Sequence, residues 1–113
     1  MHRIEVKVRE QATDIIQISQ TYGVINEDTD VHVNGAVAVI GKDLGDYKKI
    51  KVYANLCNKE GEILYILNGW KNHKLEENGY FSFSMYCSTV NRFFGIEEFS
   101  YAEIYVVFNE KDS

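Results

Sequence analysis

The side chains with chemical reach in this sequence are an acidic run, three histidines, two cysteines and a pair of spaced serines. Asn26-Glu27-Asp28-Thr29-Asp30 gathers oxygen donors of the kind a hard cation such as calcium takes. The EF-hand pattern is not met. With Asn26 as position one, Val31 stands where glycine is required and Val37 where a bidentate glutamate should be. The run is therefore read as solvated loop acids ahead of a strand. His2, His32 and His73 are scattered at no metal-ligand spacing. His32 alternates with Val31 and Val33 and shares a face with Asp30 and Asn34, so it is read as hydrogen-bonded or exposed. No metal site and no cofactor are expected.

Cys57 and Cys87 offer a disulfide or a nucleophile. Strand phase argues against the bridge. Cys87 follows Phe81, Phe83 and Met85, an inward series, whereas Cys57 follows Lys51, Tyr53 and Asn55, an outward one. Opposed faces point the Cβ vectors apart. No environment that would lower a thiol pKa is readable, so both are expected to be inert thiols. Ser82 and Ser84 face outward beside Tyr80 and Tyr86. The sequence has no G-x-S-x-G elbow, no phosphate-cradling glycine loop and no H-E-x-x-H helix. With the small size, this makes a non-enzymatic protein the expectation, and no catalytic residue is assigned.

The aromatic residues carry the sharpest functional idea. Tyr53, Tyr80, Tyr86 and Tyr105 all fall on strand faces opposite the apolar series, and Trp70 follows the Asn68-Gly69 turn. Rings displayed on a sheet anchor protein partners or stack on sugars; they also stabilise sheets by cross-strand packing. The candidate binding residues are Tyr53, Trp70, Tyr86 and Tyr105. Phe93, Phe94 and Phe99 fall in a segment of helical spacing, from Thr89 to Phe99, and are expected to plug one end of the core.

These residues need strands to position them, and the composition supplies strand formers. Isoleucine and valine number 11 each against five leucines and five alanines, with eight tyrosines and six phenylalanines. Branching at Cβ and aromatic rings suit a pleated, half-buried surface. Period-two alternation recurs in six runs: Ile4, Val6, Val8; Val31, Val33, Val37, Val39; Ile50, Val52, Ala54, Leu56; Ile63 to Leu67; Phe81, Phe83, Met85, Cys87; and Ala102, Ile104, Val106, Phe108. In the second run the opposite face is also apolar, through Ala36, Ala38 and Ile40, which predicts a central strand. Ala12 to Gln20 is read as a seventh strand. Turn residues separate the runs: Gly41 to Asp46, Asn58-Lys59-Glu60-Gly61, Asn68-Gly69 and Asn78-Gly79. Asn34-Gly35 lies inside a valine-rich run and is read as a bulge.

One domain spanning residues 1–113 is the default at this length. A net charge of −5 lacks the basic face that nucleic acid or an anionic membrane requires. No apolar run approaches the roughly 18 residues of a membrane-spanning helix, and the start shows no signal-peptide pattern. The compartment is left open, with the cytoplasm as default. The fold class expected is all-β: an antiparallel, immunoglobulin-like β-sandwich of about seven strands.

From Val33 to Phe108 the chain resembles the FxLYD family of bacterial immunoglobulin-like domains. The similar features run in order: Val33-Asn34-Gly35-Ala36-Val37, then Val52-Tyr53-Ala54-Asn55-Leu56-Cys57-Asn58-Lys59-Glu60-Gly61, Ile63-Leu64, a turn at Gly79, Phe81-Ser82-Phe83 and the closing strand Ala102 to Phe108. Where the family motif places Phe, Leu, Tyr and Asp, this chain has Ala54, Leu56, Cys57 and Asn58. The resemblance implies an adhesive or accessory module, often of the cell envelope, and carries over no catalytic residue. The functional expectation is a protein-interaction module that uses an outer sheet face or an edge strand. The alternatives are carbohydrate binding through the same rings, or a structural homodimer paired along an edge strand.

Overall fold

The computed structural model describes residues 2–26, 30–69, 71–88 and 98–111, and within them every regular element is a β-strand. The strands are β1 (His2–Val8), β2 (Ile16–Ile25), β3 (Val31–Val39), β4 (Lys49–Cys57), β5 (Ile63–Asn68), β6 (His73–Lys74), β7 (Tyr80–Cys87) and β8 (Tyr101–Phe108). All six alternating runs form strands. The seventh starts later than expected, because the N–H groups of Ile15 and Ile16 bond to the Ala12 carbonyl in a turn. It then continues to Ile25 through Gly23, a residue that interrupts the sequence pattern. A Cβ at Gly23 would stand 2.8 Å from Ile4 Cγ1 and 2.9 Å from Val6 Cγ2, so only glycine lets β1 lie this close. Residues 89–97 lie outside the described residues, and with them the helical segment and the fate of Phe93 and Phe94; Phe99 is buried.

The strand order is β5-β4-β8-β1-β2-β3-β7, with the short β6 also on β4. β1 joins the two halves. Its first residues pair antiparallel with β2 (Arg3 opposite Val24), and its later ones pair with β8 (Val6 opposite Ala102). That second pairing is parallel, so the sheet is mixed rather than antiparallel throughout as expected. Alternation sets which face a side chain takes but not the direction of the neighbouring strand. Two strands from opposite ends of the chain share no hairpin to force them antiparallel. The sheet curls so that its end strands, β5 and β7, approach each other without pairing.

The inner faces meet in one core. Val33 and Val37 of β3, Val52 and Leu56 of β4, Phe83 and Met85 of β7, and Ile104 and Val106 of β8 are all buried. Each such side chain contributes about 1.5–3 kcal/mol on leaving water. β3 is central, between β2 and β7. Apolar residues left exposed are Val8 at the end of β1, Ile40 past the end of β3, and Ile63 and Ile66 of β5.

The bulge lies across from the place expected. β3 runs straight through Gly35, which pairs with Phe83. The register slips instead in β2, where Ser19 opposes Ala36 but Tyr22 opposes Asn34, and Gln20 adopts φ 55°. Gly35 has a different reason to be glycine. A Cβ there would meet the Phe83 ring at 2.5 Å, so the ring covers bare backbone. The Asn58 hairpin forms as read: its Oδ1 accepts from the N–H groups of Glu60 and Glu62. In the turn before β7, Asn78 takes the positive φ and Gly79 does not.

Candidate functional site

The three described binding candidates, Tyr53, Tyr86 and Tyr105, do not gather in one cluster. Tyr53 of β4 and Tyr105 of β8 are opposite each other and stack, with centroids 5.4 Å apart and planes at 13°. Tyr86 is on β7, at the far end of the strand order, where it lies 5.2 Å from the His32 ring. Trp70 lies outside the described residues.

The Tyr53–Tyr105 face is already engaged from within. The Arg9 guanidinium sits 4.5 Å above the Tyr105 ring, and Lys51 Nζ 5.5 Å from that of Tyr53. Lys7 covers Tyr101 at 4.2 Å, and Arg3 covers Tyr22 at 4.9 Å. β1 supplies two of these four cations, Arg3 and Lys7, and Arg9 directly follows it, because its parallel pairing sets it beside β8 and its start lies beside β2. Such contacts hold rings against the sheet. The Tyr53 hydroxyl donates to Glu110 Oε2. Burial first, then that hydrogen bond to a carboxylate, pushes the Tyr53 pKa up to about 12. Arg9 also bonds Glu103 at 2.7 Å, and Glu103 in turn accepts from Asn55 Nδ2 at 3.4 Å. Asn55 is buried on this outward series, and its Oδ1 has no hydrogen-bond partner among the described residues.

The cysteines are free and both buried. Cys57 was expected on a solvent-facing series. It is covered because the β4–β5 register shifts at Leu56/Cys57 and Tyr101 lies directly opposite. Burial raises its thiol pKa, opposed in part by a hydrogen bond with Tyr101. His32 projects from the outer face of β3, as its alternation predicted. His73 stacks flat on Phe81, 3.9 Å away with planes at 5°. Burial, and then the nearby Lys71 charge, lower the His73 pKa. Among the described residues no three His, Cys, Asp or Glu side chains gather to hold a metal ion. Within the acidic run, Asn26 and Asp30 close a turn through Asn26 Oδ1 and the main chain; residues 27–29 lie outside the described residues.

The feature missed in the sequence is the free edge of β7. Val39 N–H donates to the Gly79 carbonyl at 2.8 Å, which sets the phase of the β3–β7 ladder. In an antiparallel pair, alternate residues exchange both main-chain bonds with the partner and the others turn theirs away. Phe81, Phe83 and Met85 therefore bond toward β3. The N–H and C=O groups of Tyr80, Ser82, Ser84 and Tyr86 point away from β3, on the side where Gly69, Lys71 and His73 line a small cavity with Ser82, Phe83 and Ser84. No other strand among the described residues pairs there.

Natural edge strands are blunted by lysine, proline, bulges or shortness. β7 has none of these: it is eight residues, Tyr80 to Cys87, without a charge, a proline or a register shift. Its outward side chains are Tyr80 (60% exposed), Ser82, Ser84 and Tyr86 (56% exposed). Beside it, a groove of about 460 Å³ is lined by Tyr65, Ile66, Leu67 and Asn68 of β5 and by Ser84 and Tyr86 of β7. The absence of charge was visible in the sequence; that the strand is terminal in the sheet was not.

No helix among the described residues is long and apolar enough to cross a membrane. No protein-family model, curated protein or solved structure matches the chain.

Proposed function

We propose that this chain is a non-enzymatic protein-interaction module that accepts an extended strand along the open edge of β7. The observation that carries the reading is the unblunted edge itself, with main-chain donors and acceptors at Tyr80, Ser82, Ser84 and Tyr86 and no charge between Tyr80 and Cys87. Strand addition takes its affinity from such a row of main-chain groups and its specificity from alternate side chains. The expected immunoglobulin-like sandwich and the resemblance to FxLYD domains are compatible with an accessory role. The Tyr53–Tyr105 face supports that role less well, because its rings already hold internal cations.

The test uses labelled protein, dilute enough to be monomeric, titrated with extended peptides that alternate aromatic and hydroxyl residues. The amides of Ser82 and Ser84 should gain protection from hydrogen exchange. Ser84→Pro should abolish binding without unfolding the protein, since the Ser84 N–H points away from β3. A peptide panel that protects neither amide overturns the reading.

A further inference from the structure

β7 reads almost the same in both directions: Tyr80-Phe81-Ser82-Phe83-Ser84-Met85-Tyr86 is a palindrome about Phe83, broken only by Phe81 against Met85. A two-fold contact has one structural requirement that a contact with a foreign strand lacks. Each residue i of one copy must suit residue j of the other, and j must suit i in return. A palindromic edge meets that requirement by construction.

From this we infer that the strand taken up by the β7 edge is β7 of a second copy, paired antiparallel about a two-fold axis at Phe83. The inference rests on the edge reading above and adds the identity of the occupant. The ladder phase permits this register. Ser82 and Ser84 both turn their main-chain groups outward, so Ser82 can exchange both bonds with the second copy's Ser84, and Tyr80 with the second copy's Tyr86. A slip by one residue sets outward-bonding positions against positions already bonded to β3, and the ladder is lost. A slip by two keeps the ladder but sets serine against tyrosine.

In the palindromic register the outer face carries tyrosine against tyrosine at both ends and serine against serine between them, pairings that stabilise antiparallel ladders. On the inner face, Phe81 meets the second copy's Met85, a sulfur–aromatic contact. No like charges are brought opposite each other, although each copy carries −5 overall. β5, the other terminal strand, has six residues, Ile-Leu-Tyr-Ile-Leu-Asn, with no such symmetry and a register shift where it meets β4.

Sedimentation velocity on the full chain, from micromolar to millimolar concentration, reads the association. The native protein should pass from monomer to dimer as concentration rises. Ser82→Lys with Ser84→Lys sets like charges opposite each other and should weaken the dimer at least tenfold. Ser82→Lys with Ser84→Glu should restore it, because each new lysine then faces a new glutamate of the other copy. Both serines are exposed in the monomer, and an unchanged circular-dichroism spectrum separates lost association from lost folding.

A native chain that stays monomeric at millimolar concentration overturns the inference. So does a dimer that the double-lysine variant leaves intact, or one that the lysine–glutamate variant fails to restore. If the chain is monomeric but peptides still protect the Ser82 and Ser84 amides, the edge reading stands and the second copy is excluded. If neither occurs, both fall.

Discussion

The tyrosines of β4 and β8 and those of β7 hold equivalent positions in the alternating pattern, each set opposite an apolar series, yet their surroundings differ. Tyr53 and Tyr105 stack on each other, carry Lys51 and Arg9 over their rings, and are tied to Glu110 through the Tyr53 hydroxyl. Tyr80 and Tyr86 stand more than half exposed, opposite Ala38 and His32 of β3, with no strand paired on their other side among the described residues. The difference lies in the neighbours. β8 has strands on both sides, and one of them, β1, brings long cationic side chains. Among the described residues β7 pairs with one strand, β3, whose outward residues are mostly short. An outward tyrosine is thus capped where flanking strands bring cations over it and stays exposed where none does.

The largest expected effect removes what both regions share, the packed inner face. Phe83→Ala takes away the ring that covers Gly35 and should cost about 3–5 kcal/mol in urea unfolding. A smaller loss would mean that β7 is held by its ladder alone. The comparison itself is sharpened by Tyr105→Ala against Tyr80→Ala. The first removes a stack and a cation–π contact and should cost about 1–2 kcal/mol; the second should stay within about 0.5 kcal/mol. Equal losses would erase the distinction between the two faces.

A smaller effect concerns alkaline pH. The Tyr53 pKa is raised in the folded state, so the stability it contributes is fully present below pH 10 and is lost as pH rises toward about 12. Screening limits this to about 1 kcal/mol. Thermal unfolding against pH should show that alkaline fall in the native protein and a shallower one in Tyr53→Phe. His73 gives the opposite slope. Its pKa is lowered in the folded state, so its contribution is complete above its ordinary value of 6.5 and fades as pH falls through the lowered one. A small drop in Tm on mild acidification is expected, absent in His73→Phe, which keeps an aromatic ring for Phe81. Glu103→Gln should likewise change stability by less than about 1 kcal/mol, since the Arg9–Glu103 pair is substantially exposed.

Much of this fold was legible before any coordinates. Ile50, Val52, Ala54 and Leu56, like Ala102, Ile104 and Val106, declare their inward face by alternation alone, and they are buried together. What misled was non-local. Gly23 looks like a strand breaker until Ile4 is seen to lie against it. Gly35 looks like a bulge because its partner Phe83 is 48 positions away. Cys57 keeps its outward phase and is buried nonetheless, by a shifted register and Tyr101. The candidate site was legible as residue types and not as a place: Tyr53, Tyr86 and Tyr105 share a phase, but phase does not say which outer face a strand ends on.

Strand identity and the inward or outward sense of each side chain were set by local chemistry, because successive side chains on an extended backbone point to opposite sides whatever lies beside it. Which strand became an edge, which rings were capped, and that β1 runs parallel to β8 depended on pairings between residues distant along the chain. Those pairings are selected by the closure of the whole core, and no window of sequence contains that information.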